Sequence, residues 1–100
     1  MASLRIYQGP RLVAEIRLNR GRTLVGRSDA CDLALPSDDV SRVHCHIDLD
    51  DSGRIEVTAR SRHGTRVNGR AVTTAGVVPG DVLDVGGFRL EVAAVEPDQD

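Results

Sequence analysis

Three short stretches of the chain combine arginine with hydroxyl, imidazole or backbone-amide donors. They are Gly26-Arg27, Ser41-Arg42-Val43-His44 and Ser61-Arg62-His63-Gly64-Thr65. A guanidinium group presents a planar fork of N–H donors, and hydroxyl groups and backbone amides add single donors beside it. Such a set matches the charge and the oxygen atoms of a tetrahedral dianion, for example a phosphomonoester. If the fold brings the three stretches together, we expect them to bind a group of this kind.

The segments between these stretches alternate apolar and polar residues with a period of two. The alternating apolar residues are Leu4 and Ile6; Leu12, Ala14, Ile16 and Leu18; Cys45, Ile47 and Leu49; Ile55, Val57 and Ala59; and Phe88, Leu90 and Val92. This period is typical of half-buried strands, and no window carries a helical apolar stripe, so we predict no long helix. Asn68-Gly69 and Pro79-Gly80-Asp81 are typical turn sequences between strands. The chain is therefore predicted to be an all-β sandwich or barrel.

Two polar stretches interrupt the alternation, one from Gly26 to Arg42 and one from Arg60 to Arg70. Binding residues concentrate in loops that are held by a rigid β scaffold. We therefore expect the function of the protein to lie in these two stretches.

The composition limits the class of partner. The 100 residues include 13 basic and 15 acidic side chains, for a net charge of -2, and every basic residue is an arginine. We therefore expect neither non-specific binding to nucleic acid nor attraction to a membrane surface. The apolar runs are too short to span a bilayer, and no secretory signal is recognisable. Cys31 and Cys45 are predicted to be reduced thiols in a cytoplasmic protein.

In their order and spacing, the polar stretches and the turns resemble the forkhead-associated (FHA) domain family. The matching elements are Gly26-Arg27, Ser41-Arg42-Val43-His44, Gly64-Thr65-Arg66-Val67-Asn68-Gly69, and Pro79-Gly80-Asp81 followed by Val85-Gly86. The resemblance covers residues 4–93. It implies an all-β, FHA-type sandwich of eleven strands in two mainly antiparallel sheets, with the ligand loops at one end. We expect residues 1–96 to form a single FHA-like domain and residues 97–100 to be a polar tail or the start of a linker.

The resemblance also implies a function, which is to bind a phosphothreonine-containing protein or peptide as one module of a larger multidomain protein. By position, Arg27, Ser41 and Arg42 would contact the phosphate. His44 would brace the loops, and Gly26 would serve the backbone geometry. The other matching residues are expected to support the site; they are Gly64, Thr65, Asn68 and Gly69.

One loop departs from the family pattern. The family commonly has Thr-Asn-Gly-Thr where this chain has Arg62-His63-Gly64-Thr65. In the family, the hydroxyl residue there helps to hold the phosphate, and the asparagine hydrogen-bonds the peptide backbone. We expect Arg62 to reach the phosphate with its guanidinium group and His63 to contact the ligand. An imidazole presents its donor and acceptor in a different geometry from an amide, so recognition of the peptide backbone is expected to differ.

An alternative function is an interaction domain that recognises its partner without a phosphate. Its contact surface would be a face of the sandwich. Apolar residues such as Val72 or Val77 and Val78 could form that face if exposed, but we expect them to cover an edge of the core. Treating the partner with a phosphatase would distinguish this function from the phosphate-dependent one.

Enzyme and metal chemistry are the remaining classes. Ser41 and His44 are residue types of a hydrolase, but the G-x-S-x-G nucleophile motif is absent, so we expect no catalytic residues. His44 and His46 would share a strand face if the alternation continued. Because further ligands at zinc spacing are missing, we expect no metal ion and no other cofactor.

Overall fold

The computed structural model describes residues 2–94, which form eleven β-strands and no helix. The strands are β1 (Ala2–Gln8), β2 (Arg11–Arg17), β3 (Gly21–Gly26), β4 (Leu33–Ala34), β5 (Cys45–Leu49), β6 (Ile55–Ala59), β7 (Thr65–Val67), β8 (Arg70–Val72), β9 (Thr74–Val77), β10 (Val82–Val85) and β11 (Phe88–Ala94). Within these residues no helix is long and apolar enough to cross a membrane. The predicted boundary between a domain at 1–96 and a tail at 97–100 lies outside the described residues.

The strands form two sheets. Sheet A has six strands in the order β2-β1-β11-β10-β7-β8, and sheet B has five in the order β4-β3-β5-β6-β9. Neighbouring strands pair antiparallel, apart from the parallel pair of β3 and β4. The predicted eleven-stranded sandwich of two mainly antiparallel sheets is confirmed. The short strands β4 and β7 lie within the stretches that we expected to be irregular loops.

The core lies between the two sheets and is filled by the inward-facing residues of the alternating segments. Leu4, Ile6 and Leu90 of sheet A and Val57 of sheet B are fully buried, and Ile47 is almost so. Each such side chain stabilises the fold by roughly 1.5–3 kcal/mol relative to an exposed one. The period of two therefore identified the core-facing side of β1, β5, β6 and β11 correctly.

Strand β2 is a partial exception, because Leu12 and Ala14, which the alternation places on the buried face, are exposed, whereas Ile16 packs against the core. Leu12 is 52% exposed and Val13 is 44% exposed, although the strand itself is present. β2 is the edge strand of sheet A, and its register with β1 shifts between Ile6 and Tyr7, which makes Val13 the extra residue of a β-bulge. An edge strand packs against only one neighbour, so its side chains are less covered than those of β1.

The loops that follow or precede three strands of sheet B gather at one end of the sandwich. Val25 of β3, Cys45 of β5 and Ala59 of β6 lie in register across the sheet. The chain therefore leaves β3, enters β5 and leaves β6 at the same end. The turn between β10 and β11 also lies there, because a side chain on Gly86 would overlap the backbone of Asp39. We call this end the loop end.

Candidate functional site

The segments Gly26-Arg27 and Ser41-Arg42 run side by side at the loop end. The backbone N–H of Arg27 donates to the carbonyl of Ser41 at 2.9 Å, and that of Ser28 donates to the carbonyl of Arg42 at 3.1 Å. Gly26 permits this approach, because a Cβ atom at this position would overlap the carbonyl group of Arg42. The pairing fixes the starting points of the Arg27 and Arg42 side chains on adjacent segments.

Arg27 and Arg42 line one open groove of about 380 Å³, together with Ser28 and Asp29. Within residues 2–94, no carboxylate oxygen lies within 4.0 Å of a guanidinium nitrogen of Arg27, Arg42 or Arg62. By contrast, Arg22 is paired with Asp48 at 3.0 Å on sheet B. The guanidinium donors at the loop end are therefore available for an anion from outside the domain.

His44 joins two of the loops from a fully buried position. Its Nδ1 accepts a hydrogen bond from the backbone N–H of Ser41 at 3.1 Å, so Nε2 carries the hydrogen and donates to the carbonyl of Gly64 at 2.7 Å. Burial lowers the pKa of the His44 ring, and the bond to Gly64 opposes part of that effect. The ring is thus a neutral brace between the segment 41–44 and the segment 61–64.

Ser61 forms a second link between the same two segments. Its hydroxyl oxygen is hydrogen-bonded to the hydroxyl oxygen of Ser41, and it accepts the backbone N–H of His63 at 3.0 Å. Sequence reasoning placed Ser61 in a donor-rich stretch but did not select it as a site residue. The local signal was a serine two residues before His63, a spacing at which a serine oxygen often caps a turn.

Arg62 and His63 lie on the exposed turn that follows Ser61. The carbonyl of Ser61 accepts the N–H of Gly64 at 3.1 Å, and Gly64 takes a φ of 79°, which favours glycine. The ring of His63 stacks on that of His44 and also borders a cavity of about 220 Å³. Arg62 and His63 are therefore exposed residues of the segment that Ser61 and His44 tie to Ser41.

Three of the residues that we expected to support the site are not at its surface. Thr65 is fully buried at the start of β7. Asn68 and Gly69 form the turn between β7 and β8, at the end of the sandwich opposite the loop end, since Thr65 pairs with Val72 and Val67 pairs with Arg70. The structure does not bring Asn68 and Gly69 to the loops, because three residues of extended chain separate them from Gly64.

The thiol of Cys31, in the loop between β3 and β4, is buried. Its Sγ donates to the carbonyl of Arg42 at 3.2 Å, which adds a contact between the two arginine-bearing segments. Burial raises the pKa of Cys31, and it raises the pKa of Cys45 in the core to about 12. Both residues are free thiols that pack as small apolar side chains.

Comparison with known proteins gives a family and several relatives. The family model that describes the cytoplasmic domain of an inner membrane component of T3SS, Yop-YscD, matches residues 5–96. The glycogen accumulation regulator GarA of Mycobacterium tuberculosis is 33% identical over 89 residues, which are 89% of this chain and 55% of GarA. The chain therefore spans about half the length of the curated relatives that it matches.

Two solved FHA domains are similar over nearly the whole chain. The FhaA FHA domain, solved in complex with the intracellular domain of Rv3910, superposes with a TM-score of 0.84 at 27% identity, covering 92% of this chain and 99% of that domain. A domain from a study of phosphothreonine-dependent FHA interactions superposes with a TM-score of 0.86 at 26% identity, covering 96% and 98%. The chain belongs to the Yop-YscD cytoplasmic-domain family, and its fold is that of an FHA domain.

Proposed function

We propose that this domain binds a phosphothreonine-containing segment of a protein partner. The observation that carries the proposal is the groove at the loop end, where Arg27 and Arg42 have no carboxylate partner among residues 2–94. A phosphothreonine brings close to two negative charges and three acceptor oxygens. Arg27 and Arg42 would neutralise that charge, and the hydroxyl of Ser41 would donate to one of the oxygens.

The loop that follows β6 would contribute on the other side of the phosphate. Arg62 is exposed and belongs to the segment that Ser61 and His44 tie to Ser41. His63 stands beside these groups with an exposed ring, so it would meet the peptide next to the phosphothreonine. Capture of a phosphorylated motif by a cluster of arginines is an established mode of peptide recognition, and FHA domains are an example of it.

The similar proteins support this function. GarA is a regulator of glycogen accumulation, FhaA uses its FHA domain in a complex with the intracellular domain of Rv3910, and another similar domain has phosphothreonine-dependent interactions. By analogy, this chain would recruit a phosphorylated protein and would be one module of a larger cytoplasmic protein. Neither nucleic acid nor a membrane is part of the proposal.

The arrangement of Ser41 and His44 favours binding over catalysis. A serine nucleophile needs a base that accepts the proton of its hydroxyl group. Here Nδ1 of His44 accepts the backbone N–H of Ser41, and Nε2 donates to the carbonyl of Gly64. Both ring nitrogens are occupied, so His44 is neither placed as a base for Ser41 nor free to bind a metal ion.

A second candidate function is recognition of a partner without phosphate. The surface that favours it is on β2, where Leu12 and Val13 are exposed at the edge of sheet A. Val13 also lines a mainly apolar groove of about 430 Å³, together with Leu33 and Pro36. Of the valines that the sequence offered for such a face, Val77 is buried and Val72 packs against the core, whereas Val78 is exposed.

The test is a phosphothreonine peptide library screened with the wild-type domain, followed by calorimetry on the best peptide. Arg27→Ala is expected to weaken binding by at least about 30-fold, since loss of one partner of a desolvated charge pair costs about 2–5 kcal/mol. Arg54→Ala is the matched control, because Arg54 is exposed in the turn between β5 and β6, away from the loops. Equal affinity of wild type and Arg27→Ala would refute the site. Binding that survives phosphatase treatment of a partner would favour the surface on β2.

A further inference from the structure

The hydroxyl groups of Ser41 and Ser61 form a hydrogen-bonded pair that joins two loops 20 residues apart. We propose that Ser61 is a positioning residue that turns the hydroxyl hydrogen of Ser41 toward an oxygen of the bound phosphate. This inference rests on the proposed function. The partners and the number of hydrogens at the two oxygens support this assignment.

Each serine hydroxyl has one hydrogen to donate and two lone pairs to accept. The bond between Ser41 and Ser61 uses one of the two hydrogens, so the pair keeps one hydrogen for an acceptor outside it. The oxygen of Ser61 already accepts the backbone N–H of His63 at 3.0 Å. If Ser61 donates to Ser41, each oxygen accepts one hydrogen bond, and the free hydrogen is that of Ser41.

The position of Ser41 allows its free hydroxyl hydrogen to reach a ligand. The carbonyl of Ser41 accepts from the N–H of Arg27, and its own N–H donates to His44, so its backbone is held on both sides. Its hydroxyl group is the remaining polar atom that can meet a ligand. A phosphate oxygen can only accept, so it selects the arrangement in which Ser41 donates outward and Ser61 donates to Ser41.

The result is a directed series of three hydrogen bonds. The N–H of His63 donates to Ser61, the hydroxyl of Ser61 donates to Ser41, and the hydroxyl of Ser41 donates to the phosphate. No proton is transferred in this series. Hydrogen bonds in a series polarise one another, so the bond from Ser41 to the phosphate is strengthened by the bond that Ser41 accepts.

A double-mutant cycle tests the inference, with the best phosphothreonine peptide as the probe. Ser61→Ala is expected to weaken binding roughly 2- to 10-fold, the range for loss of one hydrogen bond between neutral groups. Because Ser61 acts through Ser41, the double variant Ser41→Ala/Ser61→Ala is expected to bind within about twofold of Ser41→Ala alone. Ser61→Thr keeps the hydroxyl group and is expected to restore binding.

Ser37→Ala is the matched control. The oxygen of Ser37 accepts the N–H of Asp39 at 3.3 Å, which is the same type of turn contact, but Ser37 is not bonded to Ser41. This variant is expected to bind like wild type. Urea unfolding of each variant shows whether the domain remains folded under the binding conditions.

The possible results separate this inference from the proposed function. If wild type binds and Arg27→Ala does not, but the effects of Ser41→Ala and Ser61→Ala multiply, Ser61 does not act through Ser41 and the inference is wrong. The same conclusion holds if Ser61→Ala binds like wild type or if Ser61→Thr does not restore binding. If wild type binds no phosphothreonine peptide, the proposed function and the inference both fail.

Discussion

The imidazole rings of His44 and His63 lie nearly parallel, with 6.4 Å between their centroids and 15° between their planes. His44 is fully buried and hydrogen-bonded at both nitrogens, whereas His63 is exposed on the turn above it. The buried ring therefore holds the loops together, and we expect the exposed ring to be the one that meets a ligand. The first two predictions treat these two roles separately.

The first prediction concerns pH and the stability of the domain. Burial lowers the pKa of His44 from its ordinary value of 6.5, so the unfolded chain binds this proton more readily than the folded one. The contribution of the neutral ring is complete above pH 6.5 and is lost as the pH falls from 6.5 through the lowered pKa. We expect the free energy of unfolding in urea to decrease between pH 7.5 and pH 5.

His46→Asn separates His44 from the other buried histidine. Burial lowers the pKa of His46 as well, so His46 contributes to the pH dependence with the same sign. His46 lies on β5, and its side chain makes no hydrogen bond to the loops among the residues that the structure describes. The decrease in stability is expected to be smaller in His46→Asn but still present, because His44 remains. A flat pH dependence in that variant would contradict a contribution from His44.

The second prediction concerns the exposed ring. If His63 contacts the peptide backbone, replacing it with asparagine gives the amide that the FHA family commonly has at this position, with one donor group and one acceptor beside each other. We expect His63→Asn to bind a phosphothreonine peptide more tightly than wild type, by up to about 10-fold, which corresponds to one net hydrogen bond. Calorimetry measures the difference. His63→Ala is the comparison, and an affinity equal to wild type in both variants would show that residue 63 does not contact the ligand.

Much of this arrangement could be predicted from the sequence, because the features that carry it are local. The alternation of Leu4 and Ile6, or of Phe88, Leu90 and Val92, is the direct consequence of a strand with one buried face. The order and spacing of Gly26-Arg27 and Ser41-Arg42-Val43-His44 identified the two segments that pair at the loop end. Each of these patterns involves only a few neighbouring residues of the chain.

The features that the sequence did not reveal depend on contacts between distant residues. The bond between Ser41 and Ser61 joins positions 20 residues apart, and neither segment alone indicates it. Asn68 illustrates the converse case, since it is close to Gly64 in sequence but strand β7 separates the two in space. An extended strand advances about 3.3 Å per residue, so three residues move the chain by roughly 10 Å. Nearness in the motif therefore did not mean nearness to the site.

The third prediction concerns the close approach of the two arginine-bearing segments. Gly26→Ala would place a methyl group against the carbonyl of Arg42, so the backbone bonds from Arg27 to Ser41 and from Ser28 to Arg42 would have to lengthen. We expect a loss of stability of about 1–3 kcal/mol, as for other overpacked sites, together with loss of phosphothreonine-peptide binding. Urea unfolding and calorimetry measure the two effects.

Gly76→Ala is the matched glycine substitution. A Cβ atom on Gly76, in β9, would meet only the carbonyl oxygen of Ile55 at 3.9 Å, an ordinary contact distance. We expect its stability to lie within about 0.5 kcal/mol of wild type and its binding to be unchanged. If Gly26→Ala behaves like Gly76→Ala in both measurements, the close approach does not determine the geometry of the site.

The fourth prediction concerns Asn68, in the turn at the end of the sandwich opposite the loop end. It separates an effect on the stability of the fold from an effect on the binding site. Asn68 has a φ of 52°, its Nδ2 donates to Asp81 at 2.9 Å, and its Oδ1 accepts the backbone N–H of Val82 at 2.9 Å. The Asn68 amide thereby ties the turn after β7 to the start of β10, and its bond to Asp81 lowers the pKa of that carboxyl group. Asn68→Ala removes both hydrogen bonds and places alanine in the left-handed region, so we expect a loss of about 1–3 kcal/mol of stability.

The affinity of Asn68→Ala for a phosphothreonine peptide is expected to equal that of wild type wherever the variant is folded, because the turn lies away from Arg27 and Ser41. Asn19→Ala provides the comparison for stability, since Asn19 is an exposed turn residue whose side chain makes no hydrogen bond to residues 2–94. Urea unfolding of both variants and calorimetry below the unfolding transition give the two quantities. A folded Asn68→Ala that binds at least 10-fold more weakly than wild type would show that this turn supports the site after all, as its place in the family motif suggested.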